Sequence, residues 1–211
     1  MEALKYKEIE YIELKTQHKI LKRSFDLIVG IIGLILSAPI ILISGLLVRI
    51  CYGESGFFSQ TRVGMNGKLF KIFKIKTMSS KVNFSTNVTT DNDPRITKLG
   101  KIFRKTKIDE LPQLINVVKG DMSFVGPRPD VEEVVNTLSE DERTLYLSVR
   151  PGITGPATLK YKNEEEILAS VKNPEKYNIE VIFRDKVKIN FEYIREYSFA
   201  RDIKYIIETV I

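Results

Sequence analysis

Two adjacent carboxylates near the middle of the chain have the clearest potential for chemistry. Asp109 and Glu110 stand in the segment KIFRKTKIDELPQLINVVKG, residues 101–120. Pro112 suits a first helical turn and Gly120 suits a helix end, so the pair is predicted to lie at the N-terminus of a short helix. The apolar stripe that predicts this helix consists of Leu111, Leu114, Ile115 and Val118.

The surroundings of the pair favour ionised carboxylates. The helix dipole acts in this direction, and so do the basic residues that precede the pair, Arg104, Lys105 and Lys107. Such a pair could hold a divalent cation and a phosphate, could supply an aspartate nucleophile, or could simply cap the helix.

Two arginines follow in segments that are rich in proline and glycine. Pro127 and Pro129 enclose Arg128, and each proline fixes its own φ and restricts the residue before it. A rigid frame of this kind suits the presentation of one guanidinium to a phosphate, which it can bind through two hydrogen bonds. Arg150 begins the similar segment Arg-Pro-Gly-Ile-Thr-Gly. Either segment could be a surface turn, but together with the acidic pair they predict phosphate recognition.

The elements that must position these residues begin with a β-hairpin. Aromatic and β-branched runs cover residues 57–63 and 69–78, and Asn-Gly stands in the connection between them. This arrangement is typical of two antiparallel strands. The following residues, 79–95, are polar and lack periodicity, which predicts a mobile loop.

An apolar segment near the N-terminus predicts a membrane anchor. No charged residue occurs from Leu27 to Val48, and a spanning helix needs about 20 apolar residues. The acidic residues before this run argue against a secretory signal, so we expect the run to stay in the mature protein. Ser37 and Pro39 lie at its centre, where the proline predicts a bend and the serine hydroxyl can bond a freed carbonyl.

The basic residues on both sides of the apolar run favour a re-entrant path. Lysines and arginines mark the cytoplasmic flank of a membrane segment, and here both flanks carry them. A helix that enters, breaks at Ser37-Ala-Pro39 and returns keeps both flanks on the cytoplasmic face. The alternative is a spanning helix with a proline kink. The flanking residues are Lys19, Lys22 and Arg23 before the run and Arg49, Arg62, Lys68, Lys71, Lys74 and Lys76 after it.

Composition limits the remaining classes of function. The chain has 211 residues and a formal net charge of +6, which suits an anionic partner, but it has no zinc-ligand spacing or other nucleic-acid motif. Cys51 is the only cysteine, so a disulfide framework is excluded; it is a packed thiol or a lipidation site. His18 is the only histidine, which excludes a histidine-based triad and a zinc site.

The order of these segments resembles the monotopic phosphoglycosyl transferases, bacterial sugar transferases that start glycan assembly on polyprenol phosphate. The resemblance covers roughly residues 20–160 and is specific through its order and spacing. The matching segments are Lys22-Arg23-Ser-Phe-Asp26, Ser37-Ala-Pro39, Gln60-Thr-Arg-Val-Gly64, Lys74-Ile-Lys-Thr-Met78, Asp93-Pro-Arg-Ile-Thr97, Lys107-Ile-Asp-Glu-Leu-Pro-Gln113, Gly120-Asp-Met-Ser-Phe-Val-Gly-Pro-Arg-Pro129 and Arg150-Pro-Gly-Ile-Thr-Gly155.

The resemblance implies a mechanism. Asp109 would attack the β-phosphate of a UDP-sugar, UMP would leave, and undecaprenyl or another polyprenol phosphate would take the phosphosugar, with Mg²⁺ at Asp109 and Glu110. Arg104, Arg128 and Arg150 match positions that bind phosphate or nucleotide, and Lys74 and Lys76 match a further substrate segment. The family usually has Lys-Phe-Arg where this chain has Lys74-Ile-Lys76, and an aromatic Trp-Gln continuation is replaced here by residues 156–161.

We therefore expect an α+β fold with three parts. Residues 1–20 would be an N-terminal cytoplasmic segment, residues 21–50 a re-entrant membrane anchor with a helix-break-helix form, and residues 51–211 a small mixed α/β catalytic domain with amphipathic surface helices. The enzyme would lie at the cytoplasmic face of the bacterial inner membrane. Near the C-terminus, an apolar stripe predicts a helix that packs on the core or lies at the membrane surface; it consists of Phe199, Ile203, Ile206, Ile207 and Val210.

Two rival functions remain at this point. Asp91-Asn-Asp93 has the D-x-D pattern with which many glycosyltransferases bind a nucleotide-sugar metal, although such short patterns often occur by chance. A membrane-attached adaptor without chemistry is a different class. Release of UMP, UDP or neither nucleotide would distinguish the three possibilities.

Overall fold

The computed structural model describes residues 15–82, 89–90 and 93–211. The predicted mobile loop at residues 79–95 and the predicted N-terminal segment at residues 1–20 therefore fall partly outside the described residues. The described chain combines helices with two small sheets, so the α+β expectation is confirmed.

The apolar segment forms one long helix, α1, from Thr16 to Tyr52. Pro39 lies inside this helix without interrupting it, so two separate helices are not observed. A proline removes only one N–H donor, and the neighbouring turns keep their hydrogen bonds. The Ser37 hydroxyl donates to the carbonyl of Leu34 at 3.5 Å. The expected bond was to the carbonyl of Ile35, which Pro39 leaves without a donor, so this expectation is not met. The re-entrant path stays a prediction.

The two faces of α1 differ in the size and polarity of their side chains. One face packs against the rest of the molecule and is buried along most of its length by small, polar and branched residues, namely Asp26, Gly30, Ser37, Ile41, Ser44, Gly45 and Val48. The opposite face exposes large aliphatic side chains, including Ile28, Ile35, Leu36, Leu42, Ile43 and Ile50. A continuous exposed stripe of this kind is unusual on a soluble surface.

The predicted β-hairpin is confirmed. Strand β1, Phe57–Val63, pairs antiparallel with strand β2, Leu69–Ile75, with Phe57 opposite Ile75 and Val63 opposite Leu69. Strand β2 ends before the predicted Met78. Two three-residue strands that the sequence analysis did not predict, β3 (Ser123–Val125) and β4 (Gly152–Thr154), form a parallel pair.

The helices after the hairpin carry the residues of interest. Helix α2 covers Lys98–Lys105, a 3-10 turn covers Ile108–Glu110, and α3 covers Gln113–Lys119. The remaining helices are α4 (Glu132–Val135), α5 (Glu140–Tyr146), α6 (Pro156–Lys160), α7 (Glu164–Ala169), α8 (Pro174–Tyr177), α9 (Arg184–Arg195) and α10 (Phe199–Val210), with a π-helical segment at Asn178–Phe183 before α9.

Helix α3 occurs where Pro112 and Gly120 predicted it, but it buries a different face from the one expected. Gly120 ends the helix with φ 88°, a left-handed conformation that glycine adopts without strain. The buried residues of α3 are Gln113, Leu114, Asn116 and Val117. Ile115, which the stripe placed in the interior, is 36% exposed. Two amides replace aliphatic residues in the interior. The side chain of Asn116 bonds the backbone of Phe73 and Lys71, whereas Nε2 of Gln113 has no hydrogen-bond partner among the described residues.

The main core lies between α9, α5 and strand β3. Its buried members include Val125, Leu145, Phe183, Val187 and Phe191. Helix α10 covers one side of this core with Tyr205 and Ile206. Its buried residue is Asp202, which lies outside the predicted apolar stripe, whereas Ile207 and Val210 of that stripe are exposed.

Candidate active site

The acidic pair is presented by a tight turn between α2 and α3. Lys107 begins the turn with φ 57° and ψ 15°, a left-handed conformation that is uncommon for lysine. Such a conformation costs on the order of 1–3 kcal/mol and persists only where the surrounding structure holds it. It reverses the chain after α2, so Asp109 and Glu110 lie in a 3-10 turn rather than in the first turn of α3 itself.

Glu110 is held by two cations that come from different parts of the chain. Its Oε1 accepts hydrogen bonds from Lys74 Nζ at 3.0 Å and from an Arg128 guanidinium nitrogen at 2.6 Å. Burial acts to raise the pKa of Glu110, but the charges of Arg128 and Lys74 outweigh burial and hold this pKa well below its ordinary value. Glu110 is therefore an ionised carboxylate at any physiological pH.

Asp109 has a different environment from its neighbour. It is 7% exposed, and its Oδ1 has no hydrogen-bond partner among the described residues. Burial raises the pKa of Asp109, while the charge of Lys74 acts in the opposite direction. The sequence analysis expected both carboxylates to be stabilised in the ionised form, and for Asp109 this is wrong because desolvation prevails. Environments that push two neighbouring pKa values apart are typical of paired carboxylates with separate roles.

Arg128 is presented by a rigid frame, as the flanking prolines predicted. The backbone N–H of Gly126 donates to Thr154 O at 2.9 Å, and the N–H of Gly152 donates to Pro127 O at 2.8 Å. The chains approach so closely that a Cβ on Gly126 would lie 2.4 Å from the carbonyl oxygen of Arg150. On the far side of the frame, Arg62 donates to Pro129 O at 3.3 Å.

Arg104 also belongs to this region. Its charge lowers the pKa of Asp109, so the two side chains are electrostatic neighbours. The guanidinium is paired with Glu165, the second residue of the acidic helix α7. Glu164, at the start of the same helix, pairs with Lys186 at 2.5 Å.

Two predicted substrate residues have structural partners elsewhere. Lys76 pairs with Glu54 and donates to Ser80 Oγ at 2.6 Å, and the bond from Lys76 lowers the pKa of Glu54 to about 2. Arg150 donates through Nε to Gly120 O at 2.9 Å, at the end of α3. Neither contacts the acidic pair in the described structure, because each finds an acceptor closer to its own strand or turn.

The D-x-D pattern receives no support from geometry. Asp93 is buried and both of its oxygens accept hydrogen bonds from Arg95, at 3.0 Å from Nε and 2.6 Å from the terminal nitrogen. Asp91 lies outside the described residues. Asp93 thus has a structural partner in the position where a metal ion would have to bind.

The base of α1 is attached directly to the strand that precedes Arg128, a contact that the sequence analysis missed. Asp26 Oδ1 accepts hydrogen bonds from Ser123 Oγ and Phe124 N, both at 3.1 Å. One turn earlier, Lys22 pairs with the buried Asp202 at 2.5 Å, and Tyr193 donates to the same carboxylate at 2.7 Å. The signal in the sequence was an aspartate at the edge of an apolar run, where an unpaired charge is costly.

Among the described residues, no group of three or more histidine, cysteine or acidic side chains could hold a metal ion by itself. The acidic pair offers the unpartnered Oδ1 of Asp109 and the second carboxylate oxygen of Glu110. Magnesium sites commonly use one or two carboxylates and complete the octahedron with water and substrate phosphates. The pair fits such a site.

Comparison with known proteins gives a consistent result. The model of the family described as bacterial sugar transferase matches residues 17–211. The chain is 36% identical to the uncharacterized sugar transferase EpsL of Bacillus subtilis, over 90% of this chain and 86% of that protein. It is 32% identical to the exopolysaccharide production protein ExoY of Rhizobium meliloti, over 90% and 83% of the two chains.

A larger relative has a name that states its activity. The chain is 36% identical to the UDP-glucose:undecaprenyl-phosphate glucose-1-phosphate transferase of Escherichia coli, over 92% of this chain and 40% of that protein. The family model matches nearly the whole chain, and each of the three relatives is more than 30% identical to it. The chain therefore belongs to the bacterial sugar transferase family and is an enzyme.

Proposed function

We propose that this enzyme transfers a sugar 1-phosphate from a UDP-sugar to undecaprenyl phosphate and releases UMP. The observation that carries the proposal is the contrast within the acidic pair. Asp109 is buried with one oxygen free of hydrogen bonds, and Glu110 beside it is fixed by Lys74 and Arg128. A nucleophile next to clustered positive charge suits attack on a phosphate group. The name of the Escherichia coli relative supports the choice of substrates.

In the first step, a carboxylate oxygen of Asp109 attacks the β-phosphorus of the UDP-sugar. The new phosphorus–oxygen bond forms as the bond to the bridging oxygen breaks, and UMP leaves with the electron pair. The free Oδ1 suits this role because no hydrogen bond has to be broken before attack. Arg128 has a half-exposed side chain, so its guanidinium can bond Glu110 and still reach a substrate phosphate.

In the second step, an oxygen of undecaprenyl phosphate attacks the same phosphorus atom. The acyl–phosphate bond breaks, the Asp109 carboxylate is restored, and the product is a polyprenol diphosphate sugar. Division into two displacements allows one pocket to serve a soluble donor and a lipid acceptor in turn. The reaction would be the first membrane step of polysaccharide assembly.

Asp109 and Glu110 are also the residues that would hold Mg²⁺. When bound, the ion would neutralise charge on the diphosphate and act as a Lewis acid. Lys74 and Arg128 keep Glu110 ionised, so this oxygen ligand does not need to lose a proton before binding.

We further propose that α1 is a membrane anchor whose two ends lie on the same face. Near its start, Arg23 donates to Val117 O at 2.7 Å and to Val118 O at 2.8 Å. At its end, Tyr52 accepts a hydrogen bond from Leu99 N at 3.3 Å through its hydroxyl. The same domain thus contacts both ends of a helix of about 55 Å, which supports a re-entrant path over a spanning one.

The exposed aliphatic face of α1 would then be in contact with lipid. The helix is the one helix of the described chain that is long and apolar enough to cross a membrane. Its packed face is directed to the catalytic domain, so lipid contact would bring the polyprenol acceptor close to the domain surface. We place the enzyme at the cytoplasmic face of the bacterial inner membrane, where nucleotide sugars are available.

A nucleotide-release assay tests the proposal. Purified enzyme is incubated with individual UDP-sugars, undecaprenyl phosphate and Mg²⁺, and UMP and UDP are separated by chromatography. We expect UMP with at least one UDP-sugar and only when the enzyme is present. Release of UDP instead would indicate a glycosyltransferase, and release of neither nucleotide across the panel would overturn the proposal.

A further inference from the structure

Asn116 is a buried amide that connects α3 to the hairpin. It is 0% exposed. Its side-chain oxygen accepts a hydrogen bond from the backbone N–H of Phe73 at 3.2 Å, and its side-chain nitrogen donates to the carbonyl of Lys71 at 2.8 Å. The bond partners are 43 and 45 residues away in sequence, so they define a tertiary contact.

The two partners of Asn116 lie on one edge of strand β2. Along its other edge, β2 pairs with β1, and the described hairpin has only these two strands. The amide of Asn116 therefore takes the place of the peptide group that a third strand would supply. It satisfies a donor and an acceptor that would otherwise be unpaired in the interior.

The contact lies next to two residues of the candidate active site. Phe73 immediately precedes Lys74, whose ammonium donates to Glu110. Asn116 lies on α3, which follows directly after the turn that carries Asp109 and Glu110. One side chain thus joins the strand that presents Lys74 to the helix that supports the acidic pair.

We propose that Asn116 is a positioning residue that sets the register between β2 and α3, and with it the contact of Lys74 with Glu110. The inference rests on the proposed function, because it assigns Asn116 a role in the first displacement step. Asn116 itself contacts neither the acidic pair nor, in this proposal, the substrate.

Directional hydrogen bonds are needed here because the surrounding packing is apolar. Phe70, Ile72, Val117 and Met122 form one buried cluster between β2 and α3. Apolar contact is non-directional and tolerates a small slip of one element along the other. A pair of hydrogen bonds to fixed backbone groups does not tolerate it. A shift of about 1 Å at a catalytic group can lower a rate by about 100-fold.

The chemistry of the contact requires asparagine. Aspartate has the same shape, but an ionised carboxylate cannot donate to Lys71 O. A carboxylate oxygen would then face the carbonyl oxygen of Lys71, and both are acceptors. Alanine removes both bonds and leaves the strand edge unpaired. These two substitutions change the same contact in different ways, so agreement between them separates loss of register from the effect of a new charge.

A double-mutant cycle tests the proposal. Asn116→Asp and Asn116→Ala are each combined with Lys74→Met. The single-turnover rate of UMP release is measured at saturating UDP-sugar. Each rate is divided by the concentration of folded enzyme, which thermal unfolding determines. In the Lys74 background, we expect each Asn116 variant to lose rate by roughly 10- to 100-fold while the KM for UDP-sugar changes much less. In the Lys74→Met background, we expect the same substitutions to have little further effect, because Asn116 acts through Lys74.

Val117→Ala is the matched control. Val117 is the next residue of α3, is 0% exposed and belongs to the same apolar cluster, but its side chain makes no hydrogen bond to β2. Its effect on rate per folded enzyme should be small and should be the same with and without Lys74. Additive effects of the Asn116 and Lys74 substitutions, or Asn116 variants with a normal single-turnover rate, would overturn the positioning role.

The outcomes also separate this inference from the proposed function. A wild-type enzyme that releases no UMP would overturn the proposed function before any variant is compared. An active wild-type enzyme with an additive cycle would overturn only the role of Asn116. If one Asn116 variant does not fold, the cycle with the other decides.

Discussion

Arg128 and Lys74 donate to the same oxygen of Glu110. The guanidinium lies 2.6 Å and the ammonium 3.0 Å from Oε1. Two cations at one carboxylate leave a net positive charge beside Asp109, which is suitable for a diphosphate. The arrangement also keeps Arg128 in a fixed direction before substrate arrives, so less side-chain freedom is lost on binding.

The geometry at Arg128 predicts that a positive charge alone is not sufficient at this position for normal turnover. Arg128→Lys keeps the positive charge but replaces the planar fork with a single ammonium, which cannot bond Glu110 and a phosphate side by side. We expect kcat/KM for UMP release to fall by on the order of 100-fold, comparable to the loss of a good charged hydrogen bond. Arg201→Lys, at an exposed pair with Glu196, is a control that should leave turnover unchanged. Normal turnover of Arg128→Lys would show that the proline frame has only a structural role.

We predict that the acidic helix α7 competes with substrate for Arg104. Glu165 pairs with this guanidinium, and both side chains are partly exposed. We therefore expect Glu165→Gln to lower the KM for UDP-sugar by up to about fivefold, since an exposed ion pair contributes about 0–1 kcal/mol, and to leave kcat unchanged. Glu166→Gln removes the same charge from α7 without breaking the contact with Arg104. An equal effect of both variants, or a higher KM for Glu165→Gln, would contradict a substrate role for Arg104.

The contacts at both ends of α1 predict one-sided topology. Single cysteines near residues 17 and 81, introduced with Cys51 replaced by serine, should both react with an impermeant reagent from the cytoplasmic face of inverted vesicles. Reaction from opposite faces would establish a spanning helix. Ser37→Ala with Pro39→Leu should increase the spanning fraction, because the bend predicted at Pro39 would lose its cause.

The sequence predicted the elements whose signals are local. Aromatic and β-branched runs on either side of Asn-Gly indicated the hairpin, and Pro112 and Gly120 placed α3 within a few residues. The resemblance implied that Arg128 binds phosphate and that Glu110 holds a metal ion, but it did not predict the direct contact between their side chains. Strands β3 and β4 have only three residues each, which is too short for a periodic pattern.

Residues whose roles depend on distant partners could not be assigned from the sequence. Asp202 lies on a helix with an apolar stripe, but Lys22, which is 180 residues away, makes it the most buried position of α10. Lys74 and Lys76 are equivalent in the sequence. Glu110 accepts from one and Glu54 pairs with the other. In each case the position of the charged partner determines the role of the residue, and the tertiary fold sets that position.

The pKa values of the acidic pair predict that protonation of Asp109 causes the loss of activity on the acid side of the pH–rate profile, its acid limb. Its pKa is raised by burial, whereas that of Glu110 is lowered, so Asp109 takes up a proton first as pH falls. The single-turnover rate should therefore decline at a pH above the ordinary aspartate value of about 3.9. Lys74 lowers the pKa of Asp109, so Lys74→Met should move the limb to higher pH. A limb that moves to lower pH would contradict this electrostatic assignment.

The nucleophile is tested most directly by Asp109→Asn. The amide has nearly the same shape but cannot form the acyl phosphate, so activity should fall to background, beyond the ~10²–10⁴-fold loss typical of a general acid or base. Wild-type enzyme incubated with UDP-sugar in the absence of undecaprenyl phosphate should carry a phosphosugar on the peptide that contains Asp109, and mass spectrometry of the digested protein detects it.

The stability of the same variant provides its control. An aspartate with a raised native pKa destabilises the fold as pH rises through that pKa, because the buried group must then carry a charge. Asp109→Asn lacks this charge, so its melting temperature at neutral pH should equal or exceed that of the wild type. An inactive variant with unimpaired stability therefore reports chemistry rather than misfolding. Substantial turnover by Asp109→Asn, or a phosphosugar adduct on another residue, would assign the nucleophile elsewhere.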